Sequence, residues 1–324
     1  MSALVGLAAI EAAAERIRGT VRRTPLLDVT NIAGRSLHLK CENLQVAGAF
    51  KIRGACNLVQ QIASGRDVRG VITYSSGNHA QAVACAARGL GLPALVVMPE
   101  TAPAVKVEGT RSYGAEVLFE GTTSVQRRRR AEAVAAERGL TMVPPFDHPD
   151  IIAGQGTVGR EILEDQPSID TVYVPVGGGG LIAGVAAAVK QRRPSTRIVG
   201  VEPVGAAAMA RSVEAGAPVT LDNVASIADG LLPVRPGDLT FAHVAAFVDH
   251  IVTVEDEAIA AAVRWLATRA KLVVEPSGAA TVAAVLFSGR EDGGRDGATV
   301  TVLSGGNIAP AKLATLLHEA GAAG

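Results

Sequence analysis

Four consecutive glycines, Gly177 to Gly180, constrain the fold of this chain more than any other feature. They lie between two apolar runs, residues 172–176 and 181–185, which is the order expected where a buried strand turns into a helix. Glycine has no Cβ atom, so several backbone N–H groups can approach one anion while the following helix adds the positive end of its dipole. The segment predicts a phosphate-binding turn. The alternative is a tight turn that binds nothing, although four glycines carry an entropic cost that such a turn does not need.

The spacing of these glycines excludes two familiar phosphate sites. They do not form Gly-x-Gly-x-x-Gly with an acidic residue about 20 positions later, as dinucleotide-binding turns do. No lysine followed by serine or threonine comes after the last glycine, as a P-loop requires. The anion is therefore expected in another kind of site.

Short β-branched runs alternate with alanine-rich stretches of helical character. The runs are residues 70–74, 94–98, 116–119, 171–176, 197–201 and 299–303, and the stretches are residues 79–88, 125–137, 181–191, 255–269 and 278–286. This alternation predicts an α/β fold of parallel sheets with right-handed crossovers. Because the 324 residues exceed the ~100–200 of a typical domain, we expect two lobes.

Charge and targeting signals limit the partners and the compartment. The chain carries 31 basic and 31 acidic side chains, which argues against a surface for nucleic acid or membranes. The basic run Arg127 to Arg130 leads into a helix-forming segment and is interpreted as a solvated helix start. Residues 1–14 do not form a signal peptide, and three cysteines, Cys41, Cys56 and Cys85, are too few for a disulfide framework. We expect a soluble, cytoplasmic protein.

Polar, glycine-containing clusters follow three of the predicted strands. They are residues 75–78 (Ser-Ser-Gly-Asn), 177–180 and 304–307 (Ser-Gly-Gly-Asn). Ligands of open α/β sheets bind at the carboxyl ends of the strands. We therefore expect the three clusters to line one crevice.

Lys51 stands in an unusual setting for a lysine. Phe50 and Ile52 flank it, ahead of an apolar helix. Apolar surroundings disfavour the ammonium form, which makes the amine available as a nucleophile or base. The alternative is a lysine that extends its amine into solvent at a helix start. Combined with a phosphate-binding turn, however, a reactive amine is what pyridoxal phosphate (PLP) needs, since this cofactor bonds to a lysine at one end and is anchored by its phosphate at the other.

The order of the motifs makes the sequence recognisable. From residue 23 to residue 307 it resembles the fold type II PLP-dependent enzymes, in the branch of the serine/threonine dehydratases and serine racemases. The motifs are Lys-Cys-Glu-Asn-Leu-Gln at 40–45, Phe-Lys-Ile-Arg-Gly-Ala at 50–55, Ser-Ser-Gly-Asn-His at 75–79, Gly-Gln-Gly-Thr at 154–157, the glycines at 177–180 with Leu181, Ala-Asp-Gly at 228–230, Glu-Pro-Ser-Gly-Ala at 275–279 and Ser-Gly-Gly-Asn at 304–307.

The resemblance implies roles for the residues of a PLP site. Lys51 would be the Schiff-base lysine, with Phe50 packed beside the cofactor ring. Asn78 would contact the phenolic oxygen, Ser304 the pyridine nitrogen, and Gly177 to Gly180 the phosphate. The full set implied to contact the cofactor is Phe50, Lys51, Asn78, Gly177, Gly178, Gly179, Gly180, Gly230, Glu275 and Ser304.

The resemblance also implies the architecture. Each of two lobes would be a mostly parallel twisted sheet flanked by helices. Residues 1–65 and 148–324 would form a large cofactor-binding lobe, and residues 66–147 a small mobile lobe. The resemblance further implies a homodimer. The sequence ends soon after its last motif, so we expect no regulatory domain of the kind that long biosynthetic threonine dehydratases carry.

The resemblance also implies that the loop after the predicted strand at residues 70–74 binds the amino acid substrate. The substrate-binding residues would be Ser75, Ser76, Gly77, Asn78 and His79, and a plain serine turn is the alternative. In racemase relatives the residue at Ser76 is a second catalytic acid/base, on the ring face opposite the lysine. His79 is interpreted as a brace for the loop rather than a catalyst. Glu275 either orients the lysine or ring or is a helix-start carboxylate, and Arg53 is interpreted as a surface or inter-lobe residue.

Ser304 favours elimination. A hydroxyl facing the pyridine nitrogen does not enforce its protonation as an aspartate would, so a long-lived carbanion is disfavoured and loss of a leaving group from Cβ is easier. We predict dehydration and deamination of a 3-hydroxy amino acid such as L-threonine or L-serine to a 2-oxo acid and ammonia, with Lys51 removing the Cα proton. Open alternatives are a serine racemase and a dehydratase of 3-hydroxyaspartate or of a bulkier 3-hydroxy amino acid. A non-catalytic sensor of a phosphate ligand is the alternative of another class.

Two departures from the family pattern limit these expectations. Ala49 stands where relatives have a serine before the Phe-Lys pair. Many relatives hold a divalent ion with a glutamate, a backbone carbonyl and an aspartate, and the matching positions here are Glu202, Ala206 and Ala208. Without the aspartate we predict no divalent metal, and Glu202 and Ala206 are the weak candidates that remain.

Overall fold

The computed structural model describes residues 3–75, 77–288 and 297–318. Within these ranges the chain forms two β-sheets flanked by helices. The strands are β1 (Leu26–Asp28), β2 (Leu37–Lys40), β3 (Val71–Tyr74), β4 (Ala94–Met98), β5 (Glu116–Phe119), β6 (Thr141–Met142), β7 (Ile169–Pro175), β8 (Arg197–Pro203), β9 (His250–Val254) and β10 (Ala298–Val302). This is the α/β architecture that the sequence predicts.

The larger sheet has six strands in the order β1-β2-β10-β7-β8-β9. β1 pairs with β2 in antiparallel orientation, and the other neighbours are parallel. β10, which comes last in the chain, lies in the interior of this sheet between β2 and β7. The smaller sheet has the order β5-β4-β3-β6 and is parallel throughout. Its strands all come from residues 71–142.

The helices cover both faces of the sheets. They are α1 (Leu7–Ile17), α2 (Thr30–Ala33), α3 (Lys51–Ala63), α4 (Asn78–Gly89), α5 (Ala104–Arg111), α6 (Ser124–Arg138), α7 (Pro149–Asp165), α8 (Gly180–Arg192), α9 (Ala208–Ala215), α10 (Asp238–Phe247), α11 (Asp256–Thr268), α12 (Pro276–Leu286) and α13 (Pro310–His318). None of these helices is both long enough and apolar enough to cross a membrane.

Local sequence explains why two of these helices begin and end where they do. Thr123 and Gln126 form a capping box at the start of α6, and Gly139 ends the helix in the left-handed conformation that glycine adopts without strain. At α7 the side chain of His148 accepts a hydrogen bond from a first-turn amide and Pro149 occupies the first turn. The arginines of α6 that were interpreted as a solvated helix start are mostly exposed.

Glycine allows the closest helix packing in the core. A Cβ atom on Gly184 of α8 would lie 2.4 Å from the carbonyl oxygen of Ile152 on α7, so the two helices can approach this closely only with glycine there. This contact holds α8 against α7. Because α8 follows the glycine turn at Gly177 to Gly180, the same packing fixes the position of that turn.

Candidate active site

Two of the three polar clusters at the strand ends meet, because Asn78 of one bonds to Asn307 of the other. Asn78, at the first position of α4 after β3, donates from Nδ2 to Glu275 Oε1 at 2.6 Å. Its Oδ1 accepts from Asn307 Nδ2, beyond the end of β10, at 2.9 Å. The carboxyl ends of β3 and β10 belong to different sheets, so the cleft between the two sheets is lined by both.

Lys51 lies at the first position of α3 and faces this cleft. Its Nζ donates to the carbonyl oxygen of Pro145 at 2.8 Å and lies 5.2 Å from the centre of the Phe50 ring. Burial lowers the pKa of the amine to about 8. No carboxylate among the described residues forms an ion pair with it. A pKa of about 8 leaves a fraction of the amine unprotonated near neutral pH, and this is the form that a nucleophile or base requires.

The backbone beside Lys51 is tied to the end of β10. Phe50 N donates to the carbonyl oxygen of Ser304 at 3.0 Å, and Ala49 forms a bridge with Gly305. Ser304 is buried, and its Oγ lies 3.4 Å from the carbonyl oxygen of Ser277. The amine of Lys51 and the hydroxyl of Ser304 are thus held on neighbouring segments.

Ser277 also connects Gly230 to this wall of the cleft. Gly230 N donates to Ser277 Oγ at 2.8 Å, while the backbone carbonyl of Ser277 lies near Ser304 Oγ. The Ala-Asp-Gly and Glu-Pro-Ser-Gly-Ala motifs that the sequence singled out are therefore in contact. Gly230 is exposed, whereas Ser277 is buried.

The glycine turn is shaped by protein packing as well as by the need for free N–H groups. A Cβ atom on Gly178 would lie 2.3 Å from Cδ1 of Phe146, and one on Gly180 would lie 2.9 Å from Phe146 Cβ. Gly179 has a φ of +92°, in the left-handed region. Three of the four glycines are thus required by Phe146 or by backbone conformation, and the packing against Phe146 is the part that the phosphate argument from sequence did not foresee.

The backbone N–H groups of the same turn fit an anion. None of the described residues accepts a hydrogen bond from the N–H groups of Gly177 to Gly180, and no side chain caps the start of α8. The Gly178 carbonyl accepts from Thr240 Oγ1 at 2.7 Å, so the peptide oxygen is already satisfied. Free donors at the start of a helix are the groups that bind phosphate in proteins.

One short segment joins the lysine to the glycine turn. Pro145 accepts the hydrogen bond from Lys51, and Phe146 packs against Gly178. Asp147 accepts from the backbone N–H groups at residues 238–240, the start of α10, at 3.0 to 3.1 Å. The sequence marked this stretch only as a possible boundary between lobes, and its two prolines gave no sign of these contacts.

Glu275 faces the cleft rather than its own helix. It stands at the start of α12 without capping it, and its carboxylate bonds to Asn78. Burial raises the pKa of Glu275 to about 7, and the charge of Asp229 adds to this increase. The carboxylate bonds to Asn78 and does not cap α12, so the helix-start interpretation is not supported, and orientation of the lysine or ring stays a prediction.

His79 connects α4 to the end of β6. Its Nε2 lies 3.1 Å from the carbonyl oxygen of Val143, which also accepts from Thr73 Oγ1 at 2.7 Å. Burial, with the charge of Lys51 as the second cause, lowers the pKa of His79 to about 3. A neutral imidazole held in this way is a brace. In the loop itself, Gly77 N lies 3.3 Å from Ser75 Oγ, and Ser76 lies outside the described residues.

The prediction that Arg53 is a surface or inter-lobe residue is wrong. Arg53 is fully buried on α3 and bonds to Glu42 through Nε and Nη2 at 2.8 Å each. It also bonds to Glu161 on α7, through Nη1 at 2.7 Å and Nη2 at 2.8 Å. Lys40 Nζ donates to Glu161 at 2.6 Å. Two cations balance two carboxylates, which is how charges are retained in a core.

Glu202, the only metal candidate with an ionisable side chain, is already engaged by donors of the protein. The Glu202 carboxylate is buried and accepts from the backbone N–H groups of Met209 and Ala210 at 2.8 Å each. Ala208 is fully buried and contributes only a methyl group. Burial raises the pKa of Glu202 to about 7. One carboxylate engaged with two amides is a poor match for the several oxygen ligands that Mg²⁺ and Ca²⁺ require.

Two sheets with a cleft between them, a lysine amine at the start of a helix and an open glycine turn define the class of fold type II PLP enzymes. The chain belongs to the family described as pyridoxal-phosphate dependent enzyme, whose sequence model matches residues 17–305. PLP is the cofactor of this family. The resemblance inferred from the motifs is thereby confirmed.

Relatives with different activities resemble the chain to a similar degree. An L-threonine ammonia-lyase of Geobacter sulfurreducens is 44% identical over 302 residues, which cover 92% of this chain and 75% of the relative. An L-threo-3-hydroxyaspartate ammonia-lyase of Saccharomyces cerevisiae is 40% identical, with 94% of each chain covered. The solved structure of maize serine racemase superposes with a TM-score of 0.92 at 40% identity and covers 98% of both chains.

Proposed function

We propose that this protein is a PLP-dependent lyase that converts a 3-hydroxy amino acid, L-threonine or L-serine, to a 2-oxo acid and ammonia. The observation that carries the proposal is the amine of Lys51, whose pKa is lowered to about 8 by burial, in the same cleft as the free N–H groups of the glycine turn. The similarity to an L-threonine ammonia-lyase supports it.

The residues present fit the cofactor. The N–H groups of Gly177 to Gly180 would hold the phosphate, Lys51 would bond to the aldehyde carbon, and Phe50 would pack beside the ring. Asn78 would contact the ring oxygen through the second hydrogen of Nδ2, and Ser304 would face the ring nitrogen. When bound, PLP withdraws electrons from the Cα–H bond of an attached amino acid.

The side chains of the cleft would then carry out the elimination. N–H groups and hydroxyls of the 75–78 loop would bind the substrate carboxylate. Lys51 Nζ, freed when the substrate amine takes its place, would accept the Cα proton, and the Cα–H electron pair would form the Cα–Cβ double bond as the Cβ–O bond breaks. The departing hydroxyl would take a proton from an acid of the cleft and leave as water. Hydrolysis of the remaining enamine yields the 2-oxo acid and ammonia. A pKa of about 8 suits this role, because the amine is partly unprotonated near neutral pH and still takes up a proton readily.

Two residues of the site direct the outcome. The Ser304 hydroxyl carries no charge, so it does not hold a proton on the ring nitrogen, and this favours loss of the hydroxyl over return of the Cα proton. We propose racemisation as a side activity that depends on Ser76. The similarity to maize serine racemase supports this second activity.

We also propose the assembly and the location. Residues 66–147 would form a small lobe around the four-stranded sheet, and residues 1–65 and 148–324 a large lobe around the six-stranded sheet. A homodimer is supported by the exposed apolar side chains of Leu44 and Val273, which the bond from Asn43 to the Val273 carbonyl brings near each other. Free thiols at the three cysteines support a cytoplasmic location.

The test is a panel of L-serine, L-threonine, 3-hydroxyaspartate and bulkier 3-hydroxy amino acids, assayed for 2-oxo acid and ammonia with PLP-loaded protein. Lys51→Ala removes the amine and no large core volume, so it should abolish turnover while the fold persists. Lys190→Ala is the matched control. Lys190 forms an ion pair with Asp249, which lies at the amino end of β9. Turnover that survives in Lys51→Ala contradicts the assignment, and PLP binding without turnover of any amino acid supports a sensor.

A further inference from the structure

An ion pair spans the cleft beside the proposed substrate loop. Lys106, on α5 beside the four-stranded sheet, donates from Nζ to Asp229 Oδ2 at 2.5 Å. Asp229 belongs to the Ala-Asp-Gly motif on the side of the six-stranded sheet, next to Gly230. The side chains are 24% and 43% exposed, so the pair sits in the opening of the cleft rather than in a core.

The ammonium of this pair lies against the loop at residues 75–78. A Cβ atom on Gly77 would lie 3.8 Å from Lys106 Nζ. The other partner, Asp229, is joined through Gly230 N to Ser277. The pair is therefore placed between the loop proposed for the substrate carboxylate and the wall proposed for the cofactor.

The pairing determines the charge that a substrate side chain encounters. A free ammonium here would attract a second carboxylate on the substrate, because charge-assisted hydrogen bonds are the strong ones. Asp229 already forms an ion pair with Lys106, and its carboxylate repels a second anion at the opening of the cleft. Lys312 is another cation near this wall, and its Nζ donates to the carbonyl oxygen of Ile227 at 2.9 Å.

We propose that the Lys106–Asp229 pair is the specificity determinant that restricts the site to 3-hydroxy amino acids with uncharged side chains. L-Threonine and L-serine are accepted, whereas L-threo-3-hydroxyaspartate is disfavoured because it has to compete with Asp229 for Lys106. This inference rests on the proposed function and narrows it, since relatives of comparable identity act on threonine and on 3-hydroxyaspartate.

The experiment compares kcat/KM for L-threonine and L-threo-3-hydroxyaspartate in PLP-loaded variants. Wild type should prefer threonine. Asp229→Asn should raise the 3-hydroxyaspartate to threonine ratio at least tenfold, because it releases the ammonium of Lys106. Asp229→Asn combined with Lys106→Met should abolish that gain. Asp238→Asn, at an exposed ion pair with Arg235, is the control and should leave the ratio unchanged.

Two results would overturn the inference. One is a parallel loss of both activities in Asp229→Asn with an unchanged ratio, which a merely structural pair would give. The other is a gain in the ratio that persists when Lys106 is also replaced. The same comparison can be made without turnover. Calorimetry of the same variants gives the dissociation constants of L-aspartate and L-2-aminobutyrate, and the ratio of these constants replaces the ratio of kcat/KM values. If no 3-hydroxy amino acid reacts, the proposed function fails, and these constants still decide the role of Lys106.

Discussion

Replacing Gly178 by alanine tests why the turn at residues 177–180 consists of glycines. The new methyl group would lie 2.3, 2.4 and 2.5 Å from three ring carbons of Phe146, far inside the ~3.5–4.0 Å of a favourable carbon contact. The ring or the turn has to move. Overpacking of this kind typically costs about 1–3 kcal/mol, so we expect Gly178→Ala to lower the unfolding free energy of the apoprotein by about 2 kcal/mol.

A double-mutant cycle identifies the ring as the cause. Phe146→Ala removes the clash but leaves a hole beside the turn, and the methyl group at residue 178 fills part of it. The double variant should therefore lose at least about 1 kcal/mol less than the sum of the single variants. Gly89→Ala is the control, because a Cβ atom there meets no other atom within 4 Å.

The assay is urea unfolding of the apoprotein together with titration of PLP. If Phe146 imposes the glycine, Gly178→Ala weakens both the fold of the apoprotein and the affinity for PLP. An apoprotein of wild-type stability that has lost only its PLP affinity would refute this reasoning, and it would show that the glycine serves the ligand alone. Additive losses in the cycle would refute it as well.

Four further predictions concern Arg53, the metal candidates, the pKa of Glu202, and Ser76, which lies outside the described residues. Arg53→Met should lower the unfolding free energy by about 3–5 kcal/mol, since it leaves the buried carboxylate of Glu42 without a cation and that of Glu161 with Lys40 alone; a loss below 1 kcal/mol in urea unfolding would contradict this. Chelation by EDTA should leave activity and melting temperature nearly unchanged, while Ala208→Asp should create stabilisation by Mg²⁺; activity that falls on chelation and returns with Mg²⁺ argues against it. Burial raises the pKa of Glu202 from 4.5 to about 7, so the folded state favours the protonated acid and the unfolding free energy should fall as pH rises from 4.5 to 7; Glu202→Gln should reduce that slope in urea midpoints and leave the part that Glu275 contributes. Ser76→Ala should reduce racemisation and elimination from D-serine more than elimination from L-serine, and equal losses would assign the residue to substrate positioning.

Among the described residues, six of the ten strands and five of the thirteen helices could be predicted from the sequence. The predicted runs and stretches match six strands and five helices to within about two residues, because each carries a clear β-branched or alanine-rich pattern. β1, β2 and β6 were missed, since they have two to four residues and include polar side chains that pair only in the folded chain. β9 was missed although its sequence, His-Ile-Val-Thr-Val, carries the β-branched signal.

The residues of the site differ in the same way, because some carry a signal in the local sequence and others do not. Lys51 and the glycine turn carry local signals, whereas the surroundings of Arg53 do not. Its partners stand 11 and 108 positions away, and only the packing of α3 against α7 makes a charged side chain acceptable in that core. Phe146 is similar, because nothing in its neighbourhood along the chain indicates that its ring lies against Gly178.

The interior position of β10 bears on how the chain is made. The four-stranded sheet uses residues 71–142 only, so it can assemble on the ribosome soon after those residues emerge. The six-stranded sheet lacks an interior strand until residues 298–302 have been synthesised. Until then β2 and β7 have unpaired edges, which can pair with each other or with other chains. Translation that stalls before this strand would leave a partly folded chain in which the edges of β2 and β7 are free to pair with other chains.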